Sequence, residues 1–231
     1  MSDSTADRHQ PVTLSAWLPP VILLAAIDLV LAATYYADYL LGQPLLPLTR
    51  QLDLGGESNL ATWYASMKWG LASLVFFVPA WPRFQPKVPS TYPILLVPLL
   101  CLLFSIDEVA QLHERLGGQA DALLPGGVRG GGIFQRTGVW MLLLIPPTCV
   151  AAIMGGRALA REYPGHQRIL LRAGVAGLAF LLAAGGVELL ANLVEPGSHL
   201  QVLQVLVEET GEMLAATAVY WVARDLQRVF A

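Results

Sequence analysis

Leu102–Leu116, LLFSIDEVAQLHERL, starts as an apolar run fit to cross a membrane and then acquires Asp107, Glu108, His113 and Glu114. An ionisable side chain at bilayer depth costs about 3 kcal/mol on insertion scales, and it persists mainly where it faces the interior of a helix bundle, a partner or water. This stretch therefore demands a polar interior or membrane edge around it. At about 100° per residue, Asp107, Gln111 and Glu114 fall on one helical face, with Glu108 and Arg115 on its flank. His113 points about 120° away from that stripe, and should join it only if the helix unwinds at Gly117-Gly118.

The rest of the chain sets the medium. Of 231 residues, 55% are hydrophobic and only 13% charged, and the mean hydropathy is +0.55, more apolar than a soluble domain of ordinary composition. That length holds about six spans of roughly 20 residues with short connections. The expected fold class is all-α: an integral membrane bundle of six transmembrane helices over residues 16–231, preceded by a cytoplasmic tail at 1–15. The polar start MSDSTADRHQPVTLSA lacks a charged region leading to a small-residue cleavage site, so the first span should be retained. Net charge is −3, with no basic run. PGGVRGGG is followed by no GK[ST], so nucleotide and nucleic acid drop out as partners and membrane lipids remain. Cys101 and Cys149 lie in apolar segments and read as small hydrophobes.

Six spans follow in order. Trp17–Leu41 has aromatic residues at both edges and Asp28 near its centre. A carboxylate there reads either as a functional group or as one satisfied by a neighbouring hydroxyl. Leu60–Trp81 contains Lys68, aligned on a helical wheel with Glu57, its expected counter-ion. Pro82–Pro93 reads as an extended loop, Tyr92–Leu116 as the third span and the glycine-rich Gly117–Gly132 as a flexible loop. Thr137–Met154 carries Pro146-Pro147, expected to kink it. Ala173–Val194 places Glu188, Asn192 and Glu195 on one face. Leu200–Ala223 places Gln201, Gln204, Glu208 and Glu212 on one stripe with Glu209 beside it.

With the N-terminus inside, nine Lys and Arg flank the inner ends of the spans and four the outer ends. Both termini should then be cytoplasmic, in a bacterial inner membrane. Glu57, Asp107 to Glu114, Glu188, Glu195 and Glu208 to Glu212 fall in the outer half, so four helices should offer carboxylates to one outer-side cavity.

At DEVAQLHERL, ESNLATWYAS and EETGEM, about half of the chain's spans, the sequence resembles a family of small uncharacterised bacterial multi-pass membrane proteins with an acidic-His segment. The resemblance implies the fold class and no activity. To the intramembrane hydrolase superfamily of alkaline ceramidases and progestin-type receptors the chain is similar only as a small bundle with Ser, Asp and His near the membrane edge; it has no HxxxH pair.

Three readings of the acids stand. In the first, Asp107, Glu108, Glu114, Glu188, Glu208, Glu212 and His113 hold a divalent metal ion, supported by Glu57, Lys68, Gln111, Asn192, Glu195, Gln204, Glu209 and Asp28. Bundle sites of this kind use carboxylates from several helices, and an oxygen-rich set suits hard cations. The Glu-x-x-His motif is missing, since Glu108 and His113 are five apart. A metal-bound water could then serve a membrane hydrolase or oxidoreductase acting on a lipid-like substrate. In the second, the carboxylates relay protons or cations through a small transporter or channel. In the third, they join helices by hydrogen bonds and ion pairs in a structural or interaction protein.

Overall fold

The computed structural model describes residues 18–43, 46–56, 58–122, 140–191, 193–195 and 197–229. Every regular element among them is helical: α1 (Leu18–Leu40), α2 (Leu46–Leu52), α3 (Leu60–Ala80), α4 (Leu96–Ala110), α5 (Leu112–Ala122), α6 (Trp140–Glu162), α7 (Gln167–Leu181), α8 (Glu188–Ala191) and α9 (His199–Arg228). Short 3₁₀ segments at Trp81–Arg83 and Pro89–Leu95 replace the extended loop expected between α3 and α4.

Among the described residues, four stretches are long and apolar enough to cross a membrane: Pro20–Leu40, Pro89–Ala110, Met141–Glu162 and Gln167–Leu190. Two expected spans, α3 and α9, are long enough at 21 and 30 residues but are not among these four. The physical reason is their position. They form the buried centre of the bundle and turn polar groups inward, Ser66, Lys68 and Ser73 on α3 and Glu208 and Thr217 on α9. Their average hydropathy falls although they are the best-packed helices. The outer helices show the opposite arrangement: Leu23 and Val30 on α1, Leu142 and Ile153 on α6, and Leu171 and Val175 on α7 are all more than half exposed, as side chains facing lipid would be.

Small residues let the two central helices approach. Ala72 and Ala80 on α3 and Ala216 and Ala223 on α9 are all fully buried in one apolar core with Trp69, Phe76 and Leu226, the close packing on which helix pairs in lipid depend. Both helices are also capped. The Asn59 side chain accepts from the Thr62 N–H at 3.0 Å and donates to the Asp53 and Gly56 carbonyls, tying the α2–α3 connection to the start of α3. Ser198 caps α9 by accepting from the Gln201 N–H.

Two breaks in helical phase depart from the expected spans. The third span does not run on to Leu116. It stops at Gln111, which adopts the left-handed conformation (φ 53°, ψ 43°), and restarts as α5 at Leu112. α5 then runs through Gly117 and Gly118 to Ala122, where a flexible loop was expected to have begun. In the fifth span, a π turn at Leu182–Val187 separates α7 from α8. At that turn the backbone lies so close to α9 that a Cβ on Gly211 would sit 2.9 Å from that of Ala183. The fourth span is longer than expected: α6 continues through Pro146-Pro147 and past Met154 to Glu162, so Arg157 and Arg161 belong to the helix.

Candidate functional site

The phase break at Gln111 builds the first part of the site. Turning the chain there swings His113 back over the end of α4, where Asp107 receives it with both oxygens. The His113 N–H donates to Asp107 Oδ1 at 2.9 Å, and Nδ1 lies 2.7 Å from Oδ2. His113 is thus not the outlying member of the set that an uninterrupted helix would make it. Burial works against its charged form, but the hydrogen bond and charge of Asp107, with the charges of Glu114 and Glu188, outweigh that and raise its pKa above the ordinary value.

The same region opens into a cavity of about 480 Å³. Its wall includes Asp107 and Glu108 from α4, His113 and Glu114 from α5, Glu188 from α8, and Gln201, Glu208, Glu209 and Glu212 from α9, with Gly55 from the α2–α3 connection. All seven side chains proposed as metal ligands therefore border one space. No lysine or arginine is among the described residues of this wall. Glu114 is exposed, whereas Glu208 is only 9% exposed and accepts from the Gln204 amide.

The supporting residues divide. Glu209 lines the cavity and Gln204 holds Glu208. Gln111 forms the left-handed break. Glu195 is exposed beyond α8 and does not border the cavity. Glu57 and Asn192 lie outside the described residues.

Asp28 and Lys68 form a separate centre. Lys68 Nζ contacts Asp28 Oδ1 at 2.5 Å and donates to the Met213 carbonyl at 2.8 Å, while the Thr217 hydroxyl donates to Asp28 Oδ2 at 2.8 Å. Both charged side chains are fully buried, and the ammonium stands 4.5 Å from the Tyr64 ring centroid. Asp28 is thus a counter-ion of Lys68, with a hydroxyl as its own second partner; the expected counter-ion, Glu57, lies outside the described residues. Opposite charges near the middle of consecutive spans were the available signal for this pair. Thr217, 149 positions along the chain from Lys68, gave none.

Among the described residues, no three His, Cys, Asp or Glu side chains are grouped so as to hold a metal ion. The acids are distributed around the cavity wall. No curated protein and no solved structure matches the chain. Residues 21–227, almost the whole of the bundle just described, match the family described as a domain of unknown function (DUF8692), and the chain belongs to that family.

Proposed function

We propose that this protein is a membrane-embedded binding protein whose acid-lined cavity takes a positively charged guest, and that the bundle crosses the membrane six times with both termini cytoplasmic. The observation that carries the binding reading is the cavity wall: carboxylates from α4, α5, α8 and α9, with the Asp107–His113 pair, around about 480 Å³. Pockets of this order hold small organic molecules, and a wall of clustered carboxyl groups favours a cation over an anion. A divalent metal held by three or more of these side chains would need them to converge. The distributed arrangement favours an organic ammonium instead.

The six-span reading draws on α3 and α9. A lysine neutralised by a buried aspartate, and glutamates facing a cavity, are the circumstances in which a less apolar helix can sit among lipid-facing ones. Transport of the bound cation is a second reading, favoured by Glu208 and Glu212, which stand about 6 Å apart along α9 at four residues' separation and border the same space.

Titration of the detergent-purified full chain with methoxyethylamine and, separately, with Mn²⁺ tests the binding reading. Saturable amine binding that is lost in Glu212→Gln is expected. Stoichiometric Mn²⁺ binding without amine binding would replace the organic guest by a metal and reopen metal-dependent chemistry on a lipid-like substrate. Single cysteines at two exposed glycines test the topology, in a background with Cys101 and Cys149 replaced by alanine. Gly118→Cys on α5 should label from outside intact cells and Gly165→Cys, between α6 and α7, should not; the reverse result would overturn the orientation.

A further inference from the structure

Helices α3, α4, α6, α7 and α9 line a second cavity, of about 520 Å³. It follows α6 from Thr148 to Ala160 and α7 from Leu170 to Leu181, a length of about 16–18 Å at 1.5 Å per residue. Glycine keeps it open. A Cβ added at Gly156 on α6, or at Gly174 or Gly177 on α7, would meet no atom within 4 Å. Ile153 and Leu178 also line the cavity and are more than half exposed, so it opens sideways between α6 and α7. Both helices are apolar enough to stand in lipid.

The two ends of this cavity differ in charge. At one end Phe104, Thr148, Phe180 and Leu181 border both it and the acid-lined space. Toward the other stands Arg157, the one charged side chain among the described residues of its wall. Arg157 is exposed and also borders a smaller pocket, of about 240 Å³, with Arg161 one turn further along α6 and with Ser90 and Thr91 from the connection before α4. Glu162, the acid of that pocket, lies 4.0 Å from Arg83, and Arg172 near the start of α7 is 3.3 Å from Asp225. Arg157 and Arg161 have no ion-pair or hydrogen-bond partner among the described residues.

We propose that this cavity is a lipid site: one acyl chain of an anionic phospholipid enters between α6 and α7, and Arg157 and Arg161 hold its head. The length of the cavity matches the depth of one leaflet, half of a hydrocarbon core roughly 30 Å thick. The side opening leaves the second chain in the bilayer. Arginine suits the head, because a guanidinium forks onto two phosphate oxygens at once. Carboxyl groups beyond the opposite end disfavour an anion there, which fixes the direction of the chain. The inference uses α6 and α7 as lipid-facing helices and takes nothing from the guest proposed for the acid-lined cavity.

Native mass spectrometry of the full chain tests it, after the protein has been stripped of lipid in detergent. The probes are dioleoylphosphatidylglycerol, dioleoylphosphatidylcholine, oleate and glycerol 3-phosphate. A single phosphatidylglycerol should bind saturably and about tenfold more tightly than phosphatidylcholine, the size of effect that a charge-assisted hydrogen bond supplies. Arg157→Gln with Arg161→Gln should erase that preference, whereas Arg168→Gln, which borders neither space, should keep it. Gly177→Leu and, separately, Gly156→Val should weaken phosphatidylglycerol at least about tenfold with the unfolding midpoint unchanged, because both side chains grow into open space.

Equal retention of the two phospholipids by the wild type would overturn the proposal and leave ordinary lipid contact. Displacement of phosphatidylglycerol by an equal concentration of oleate or of glycerol 3-phosphate would overturn the phospholipid in favour of a free fatty acid or a free phosphate. Unchanged binding in both glycine variants would overturn the place given to the chain. Dimers that form without lipid and dissociate in Gly177→Leu would overturn it in favour of a second copy docked between α6 and α7.

Discussion

Two groups of carboxylates occupy this bundle, and they are handled in opposite ways. Asp28 is enclosed at the meeting of α1, α3 and α9, with a lysine on one oxygen and a threonine hydroxyl on the other. The acids of α4, α5, α8 and α9 instead surround a space large enough for a guest. The same chemical group is thus a joint in one place and a lining in the other. A joint has its partners built in, and removing one leaves a buried charge. A lining keeps its faces toward a cavity, so replacing a member should alter what enters far more than whether the chain folds.

The largest expected effect tests the joint. Asp28→Ala leaves Lys68 buried without its counter-charge, which should destabilise the protein by about 3–5 kcal/mol, read as a lowered unfolding midpoint in detergent. Replacing both partners, Asp28→Leu with Lys68→Met, should recover most of that loss, because apolar side chains of similar volume often substitute for a buried pair without penalty. If Asp28→Ala melts like the wild type, the distinction between the two groups disappears.

A smaller effect is expected in the lining. Glu212→Gln keeps the shape of the side chain and replaces one carboxyl of the cavity wall by an amide, so the loss of stability should be well below that of Asp28→Ala while amine binding is lost. A stability loss matching that of Asp28→Ala would make Glu212 a second joint.

The smallest effect sharpens the boundary between them, where His113 is paired but only partly buried. Its folded pKa lies above the unfolded value near 6.5, so the protonated pair stabilises the fold fully below that pH and loses its contribution as pH rises through the folded pKa. Asp107→Asn should therefore flatten the pH dependence of the unfolding midpoint from about pH 6.5 upward. An unchanged profile would show that the imidazole does not gain its proton from this contact.

Much of this arrangement is written in local sequence. Apolar runs bounded by Asn59 and Ser198 place the starts of α3 and α9 to within a residue, because caps and hydropathy act over one or two turns. The acids of the cavity are legible too: each interrupts an apolar run, where its cost must be explained. What escapes is phase. Gln111 is an ordinary helical residue by propensity, and only the captured His113 side chain and N–H on Asp107 show why the helix stops there. The π turn before Glu188 is set by close contact between Ala183 and Gly211, 28 positions apart, which no periodicity records. A helical wheel assumes unbroken phase, and both breaks fall beside the acid-lined space. Hydropathy likewise undervalues α3 and α9, since a central helix in a bundle is allowed the polar groups that would exclude it from the periphery.

In the six-span reading proposed above, Lys68 also bears on how the chain would enter a membrane. A lysine at the centre of a helix adds about 2.5–3.5 kcal/mol to the cost of insertion, so α3 is a poor passenger on its own. α1 is synthesised first and carries Asp28, which gives α3 a companion already in place when it emerges from the ribosome. The last contacts to the pair, from Met213 and Thr217 on α9, arrive only when nearly the whole chain has been made. On that reading the buried pair would be completed only once α9 is in place, and part of the deficit of Asp28→Ala should appear as chains that never integrate, measured as a lower yield of membrane-inserted protein before any melting curve is recorded.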